Sequence, residues 1–132
     1  MRVVLDTNAY SALFRGDPAV ADLVARSEQV FLSAVAAGEL MFGFRAGNRL
    51  RKNMADLNEF LENSYVTLLP VTLVTAERFG RIAVGLRTKG RPIPTNDIWI
   101  AAHAMETGAD LVSFDAHFGE IDGLVWVDPS VA

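Results

Sequence analysis

Residues 2–8 read Arg-Val-Val-Leu-Asp-Thr-Asn, a short apolar run that ends in a carboxylate. The paired valines favour a buried strand, because β-branched side chains pack well on a pleated surface. The polar residues that begin with Asp6 favour a turn or the start of a helix. An ionised carboxylate is costly to bury without a partner, so Asp6 needs a physical reason to stand at the end of an apolar strand.

Strand-like and helical segments alternate along the rest of the chain. The β-type runs cover residues 2–5, 29–33, 65–69, 110–113 and 124–127. Helical patterns cover residues 8–15, 18–26, 34–46, 49–63, 73–89 and 96–107. This alternation predicts a three-layer α/β/α fold, in which helices cover both faces of a parallel sheet of about five strands. The length predicts a single domain over residues 1–132.

Three further carboxylates belong to the same predicted edge of the sheet as Asp6. Glu39 lies on the helix that leaves the second strand, and Asp115 directly follows the fourth strand. Asp97 lies in the first turn of the helix that enters the fourth strand, with Thr95 as its predicted N-cap. Ligands of open parallel sheets bind beyond the carboxyl ends of the strands. We therefore expect the four acids to form one site.

Each acid also has a purely structural explanation when it is taken alone. Asp6, Asp97 and Asp115 could each cap a turn or favour a helix start through the helix dipole. A purely structural Glu39 would need a paired arginine, such as Arg2 or Arg78.

Taken together, the acids favour a bound cation. Two carboxylates about 4 Å apart repel by roughly 4 kcal/mol at an effective dielectric near 20, so a cluster of them is hard to sustain alone. Protonation or a divalent ion would relieve this repulsion, and the ion does so better. Oxygen ligands without cysteine suit Mg²⁺ or Mn²⁺ better than Zn²⁺.

The composition excludes several classes of protein. The chain has no cysteine, which excludes disulfides and thiolate zinc sites and fits a cytoplasmic protein. No apolar stretch reaches the roughly 20 residues of a membrane span, and a strand that begins at residue 2 predicts no signal peptide. The net charge of −4 argues against nucleic acid, but the basic residues are mostly arginine, whose planar fork suits phosphate.

Four short motifs follow one another along the chain. They are VVLDTN at residues 3–8, SAVAAGEL at 33–40, PTNDIWIAA at 94–102 and LVSFD at 111–115. In this order and spacing the chain resembles the PIN domain family, and within it the VapC-type ribonuclease toxins of bacterial toxin–antitoxin pairs. The resemblance implies a sheet of order 3-2-1-4-5, in which the first and fourth strands are neighbours.

The resemblance also implies a catalytic site that holds Mg²⁺ or Mn²⁺ and hydrolyses RNA with a metal-activated water. Its acidic quartet, which would serve as both the metal ligands and the catalytic residues, would be Asp6, Glu39, Asp97 and Asp115. The supporting residues would be Thr7, Asn8, Asn96 and Ser113, the last replacing the threonine that is usual in the family. The implied partners are an RNA substrate, a VapB-like antitoxin and a second copy of the chain in a homodimer.

Two groups of cations are candidates for contact with the RNA backbone. The stronger candidates lie just before Asp97, namely Arg87, Lys89 and Arg91. A second group, Arg45, Arg49, Arg51 and Lys52, surrounds the break between two helices and is equally typical of a solvated surface. His117, two residues past Asp115, is predicted to be a histidine of a surface turn.

Other functions are compatible with the same acids. A phosphatase or DNA nuclease would share the metal chemistry and differ only in substrate. A receiver-like regulatory domain would need a lysine near the site, and lysine is nearly absent from the chain. A catalytically silent PIN fold that binds RNA or regulates another protein is a further alternative, which the intact quartet disfavours.

Overall fold

The structure is a computed structural model that describes residues 1–131. Its strands are β1 Arg2–Leu5, β2 Gln29–Ser33, β3 Val66–Leu69, β4 Asp110–Val112 and β5 Trp126–Val127. Its helices are α1 Thr7–Phe14, α2 Pro18–Arg26, α3 Ala34–Ala46, α4 Leu50–Glu62, α5 Leu73–Lys89 and α6 Thr95–Thr107. A 3-10 turn follows β4 at Ala116–Glu120. None of the helices described here has the length and apolar character needed to cross a bilayer.

All neighbouring strands are parallel, and their order is β3-β2-β1-β4-β5, as predicted. Central strand β1 pairs Leu5 with Leu32 on one side and with Val112 on the other. All three of these side chains are fully buried, because helices cover both faces of the sheet. The chain places β2 and β3 on one side of β1 and then β4 and β5 on the other side. The strand order therefore reverses between β1 and β4. A crevice for ligands is expected at this reversal.

The ends of some elements differ from the sequence prediction. Thr95 is not the N-cap of α6 but its first residue, and Pro94 holds the cap position without a side-chain bond. The cause is that the Pro94 carbonyl already accepts hydrogen bonds from the amides of Asp97 and Ile98. Strand β5 is two residues long instead of four, since the amide of Leu124 bonds into the preceding turn.

Helix α6, which carries Asp97, is fixed firmly in the fold. Its residues Ile100, Ala101, Ala102 and Ala104 are fully buried. Its contact with α5 includes a stacked pair of aromatic rings, Phe79 and Trp99, with centroids 4.1 Å apart. The position of Asp97 is therefore set by a helix packed into the core and not by a loop.

We expect Leu5→Ala to lower the free energy of unfolding by about 2–5 kcal/mol, because it leaves a cavity in the central strand. Leu73→Ala is the matched control, since the side chain of Leu73 is 86% exposed and its loss should cost less than about 0.5 kcal/mol. Urea denaturation of both variants measures the difference. Equal losses in the two variants would contradict the central position of β1.

Candidate metal centre

The four predicted acids meet in one cavity of about 400 Å³ at the carboxyl edge of the sheet. The cavity is also bordered by the predicted supporting residues Thr7, Asn8 and Asn96 and by the Pro94–Thr95 step. No lysine or arginine lies among the described residues that line it. Four carboxylates thus share a small space without a lysine or arginine to offset their charge.

Asp6 combines a structural role with a place in the cavity. It is 4% exposed, and its Oδ1 accepts a hydrogen bond of 2.8 Å from the amide of Ala9, which caps α1. Burial raises the pKa of Asp6, the Ser113 hydroxyl and the Ala9 amide lower it, and the charges of Asp115 and Glu39 raise it further. The capping explanation is therefore correct for Asp6, but it does not remove the acid from the cavity.

Glu39 is held by neutral donors and not by an arginine. The Thr7 hydroxyl donates to Oε1 over 2.6 Å, and the Asn96 side-chain amide donates to Oε2 over 3.3 Å. Arg2, one of the two proposed structural partners, instead donates to the carbonyl of Thr107 over 2.8 Å. Arg78, the other one, borders a different cavity. The paired-arginine explanation of Glu39 is therefore wrong, and its carboxylate borders the cavity of the acids.

The charges of all three other acids affect the pKa of Asp97. Burial is the largest cause that raises its pKa, the nearby His117 opposes the shift, and the charges of Glu39, Asp6 and Asp115 add to it. All four acids also border one cavity, so the charge of each acts on the others. The quartet is therefore one electrostatic unit.

His117 is the residue that sequence reasoning missed. Its Nε2 lies 3.0 Å from Oδ2 of Asp97, and its Nδ1 lies 3.0 Å from Oδ1 of Asp115. The Nε2 atom is buried without an aligned hydrogen bond, so its contact with Asp97 is electrostatic. His117 does lie in a turn, as predicted, but its side chain is only 24% exposed, because the 3-10 turn that Asp115 caps folds the imidazole back towards the acids.

A sequence signal for this arrangement existed. His117 stands two residues after Asp115 and directly before the fully buried Phe118, against which its ring packs edge-on with centroids 4.7 Å apart. A buried aromatic at that position anchors the turn and keeps the histidine near the carboxylate that caps it.

Ser113 supports the backbone that carries Asp115. It is fully buried, its Oγ accepts a hydrogen bond of 3.0 Å from the Asp115 amide, and its carbonyl accepts one of 2.9 Å from the Trp126 indole. The serine hydroxyl therefore fixes the backbone between β4 and Asp115. Among the other supporting residues, Asn8 borders the cavity but is exposed.

The cations predicted to contact RNA lie outside this cavity. Lys89 is bound by the Asp122 carboxylate and the Glu120 carbonyl, each 2.7 Å from its Nζ. Arg87 and Arg91 are exposed on the surface. Their contact with RNA stays a prediction.

The donors in the cavity fit a divalent cation. One ligand atom from each of Asp97, Asp115 and His117 can be chosen so that all three lie within 4.8 Å of one another. Asp6 and Glu39 add carboxylate oxygens to the same cavity. Mostly oxygen donors with room for water match the preference of Mg²⁺ and Mn²⁺.

The chain matches known proteins along most of its length. The model of the PIN domain matches residues 3–124. Ribonuclease VapC2 of Haemophilus influenzae is 32% identical over 86% of each chain. The VapBC-1 structure from nontypeable Haemophilus influenzae has a TM-score of 0.86 at 27% identity and covers 98% of this chain and 99% of that one.

A third relative is the VapBC2 complex of Rickettsia felis, solved with a DNA fragment from its promoter. It has a TM-score of 0.83 at 25% identity and covers 96% of this chain and 98% of that one. The agreement in family, length and topology extends over almost the whole sequence. The chain therefore belongs to the PIN domain family and is similar, within it, to the VapC proteins.

Proposed function

We propose that this protein is a metal-dependent endoribonuclease that acts as the toxin of a toxin–antitoxin pair. The observation that carries the proposal is the convergence of four carboxylates in one cavity without a lysine or arginine among its described lining residues. The relative from Haemophilus influenzae that is named a ribonuclease supports RNA as the substrate.

The quartet would hold Mg²⁺ or Mn²⁺ through Asp6, Glu39, Asp97 and Asp115. Such an ion, when bound, polarises a phosphoryl oxygen and lowers the pKa of a water ligand. Thr7 and Asn96 fix the orientation of Glu39 through their hydrogen bonds. Ser113 holds the backbone that presents Asp115.

His117 would fix the positions of the Asp97 and Asp115 carboxylates relative to each other through its two ring nitrogens. A ring that lies 3.0 Å from each carboxylate limits the rotamers that both acids can adopt. We assign it the role of a positioning residue. One of its ring nitrogens also belongs, with oxygens of Asp97 and Asp115, to a group of atoms that could hold a metal ion.

The proposed partners are a VapB-like antitoxin and a second copy of this chain. The structures from Haemophilus influenzae and Rickettsia felis are complexes of the VapBC type, which supports an antitoxin for this protein. The second copy is proposed from the homodimer that the resemblance to the VapC-type toxins implies.

We expect Asp6→Asn and Asp97→Asn each to lower the rate of Mg²⁺- or Mn²⁺-dependent RNA cleavage by roughly 100-fold or more, because several kcal/mol of transition-state stabilisation depend on the ion. Mn²⁺ binding, followed by calorimetry, should weaken in the same variants. Asp22→Asn is the matched control, since Asp22 is an exposed acid paired with Arg26 over 2.9 Å. Full cleavage activity in both cavity variants would overturn the mechanism.

The substrate class is tested with the same preparations. Equal amounts of RNA, single-stranded DNA and a phosphomonoester are offered with Mn²⁺, and RNA alone should be cleaved at a high rate. Preference for the phosphomonoester or DNA would favour the phosphatase or DNA nuclease with the same acids. RNA binding without cleavage would favour the silent PIN fold.

Asp97→Asn should also stabilise the metal-free protein at neutral pH. The raised pKa of Asp97 means that its charged form is less favourable in the folded chain than in the unfolded chain. This penalty is absent below the unfolded pKa of about 4 and is fully present above the raised pKa. In EDTA, the advantage of the variant in free energy of unfolding should therefore grow as the pH rises.

Urea denaturation of wild type and Asp97→Asn between acid and neutral pH measures this difference. Asp22→Asn again serves as the control and should show no such growth with pH. A variant that is less stable than wild type at neutral pH would contradict the mutual repulsion of the quartet.

A further inference from the structure

A second cavity, of about 330 Å³, lies at the far ends of the helices that lead away from the acids. It is bordered by side chains from α1, from the C-terminal part of α3 and from the first turns of α4. The residues that line it include Tyr10, Phe14, Arg15, Arg49, Lys52 and Asp56.

This second cavity is positively charged. Lys52 pairs with Asp56 over 2.9 Å, but within residues 1–131 neither Arg15 nor Arg49 has an acid within salt-bridge distance. Arg49 holds the N-cap position of α4 without a side-chain hydrogen bond to the helix, so the first amides of α4 add partial positive charge. Two uncompensated cations in a chain of net charge −4 favour an anionic occupant.

A buried hydroxyl in the same wall lacks a partner. Tyr10 is 3% exposed, and its Oη is buried without a hydrogen bond to any described residue. Burial and the charge of Asp56 raise the pKa of Tyr10, so the hydroxyl keeps its proton and can donate it. A buried polar group without a partner is costly, and a ligand acceptor in the cavity would satisfy it.

An exposed aromatic ring stands beside these donors. Phe14 is 46% exposed and stacks on Tyr10 with ring centroids 4.6 Å apart, so its ring is held in place. A fixed aromatic face next to arginines is the combination that binds the base and phosphate of single-stranded nucleic acid. The carboxylates of an acidic protein segment would pair with the cations but would gain little from the face of the ring.

The two cavities lie along the same helix. Asp6 caps the start of α1 and Phe14 ends it, so its eight residues separate the cavities by about 12 Å. Glu39 and Phe44 border the same two cavities on α3 and are separated along it by about 7.5 Å. One extended RNA chain can therefore reach both cavities.

We propose that the cavity between α1 and α4 is an RNA-binding subsite that takes a phosphate of the substrate away from the cleaved bond, with Arg15, Arg49 and the Tyr10 hydroxyl as donors and Phe14 as a stacking face. This subsite rests on the proposed ribonuclease function. It adds donors from α1 to the predicted second group of cations, which includes Arg49, and leaves the prediction for Arg87, Lys89 and Arg91 as it stands.

The test is the anisotropy of a fluorescein-labelled single-stranded RNA in EDTA, where binding is measured without cleavage. Arg15→Ala and Arg49→Ala should each weaken binding roughly five- to tenfold, since each removes a charge-assisted hydrogen bond. The slope of log Kd against log salt should fall by about 0.7 for each lost contact. Arg26→Ala is the control of equal charge, because Arg26 is exposed and ends α2, which leads into the N-terminal end of β2.

Tyr10→Phe should weaken RNA binding without lowering the urea midpoint, because the hydroxyl has no partner within the described protein. Unchanged RNA affinity in Tyr10→Phe, or equal effects of Arg15→Ala, Arg49→Ala and Arg26→Ala, would overturn the subsite. Binding of polyglutamate that depends on Arg49, in the absence of RNA binding, would overturn it in favour of an acidic protein segment.

These readouts are separate from the ribonuclease proposal. If wild-type protein binds RNA in EDTA through Arg15 and Arg49 but does not cleave it with Mn²⁺, the proposed enzyme fails and the subsite stands. If cleavage depends on Asp6 and Asp97 but RNA affinity ignores Arg15 and Arg49, the subsite fails alone.

Discussion

The repulsion among four carboxylates in one cavity is the constraint on which the rest of the structure depends. A compact domain has a total stability of only about 5–15 kcal/mol, so it cannot hold many uncompensated charges together. The fold limits the repulsion with short-range devices: a helix cap on Asp6, two neutral donors on Glu39 and an imidazole between Asp97 and Asp115. None of these contacts neutralises the quartet, and the remaining charge is the reason that we propose a cation in the cavity.

The sheet explains why the acids meet. Strands β1 and β4 are neighbours because the strand order reverses between them, and Asp6 and Asp115 follow the ends of these two strands. Helices α3 and α6 bring Glu39 and Asp97 to the same cavity. A packed scaffold therefore holds the acids where a flexible loop would let them move apart.

Much of this arrangement could be predicted from the sequence. Period and composition identify every strand and helix, and the position of acids after apolar strands identifies the cavity. Local competition for hydrogen bonds could not be predicted: the Pro94 carbonyl starts α6 one residue early and displaces Thr95 from the cap. His117 was missed for a similar reason, because its place depends on the anchoring of Phe118 in a turn. The sequence could not predict the pairing of Arg15 with Arg49 either. These residues are far apart in the sequence and border one cavity only because α1 and α4 lie near each other in the fold.

The most direct test of the central claim is anomalous diffraction from crystals of this protein soaked in Mn²⁺. The account predicts a peak in the cavity, within coordination distance of carboxylate oxygens from Asp6, Asp97 and Asp115. The same peak should be absent from crystals of Asp97→Asn that are grown and soaked in the same way. A cavity without a peak in the wild type, or Mn²⁺ bound only elsewhere on the surface, would contradict the claim that the quartet is a metal centre.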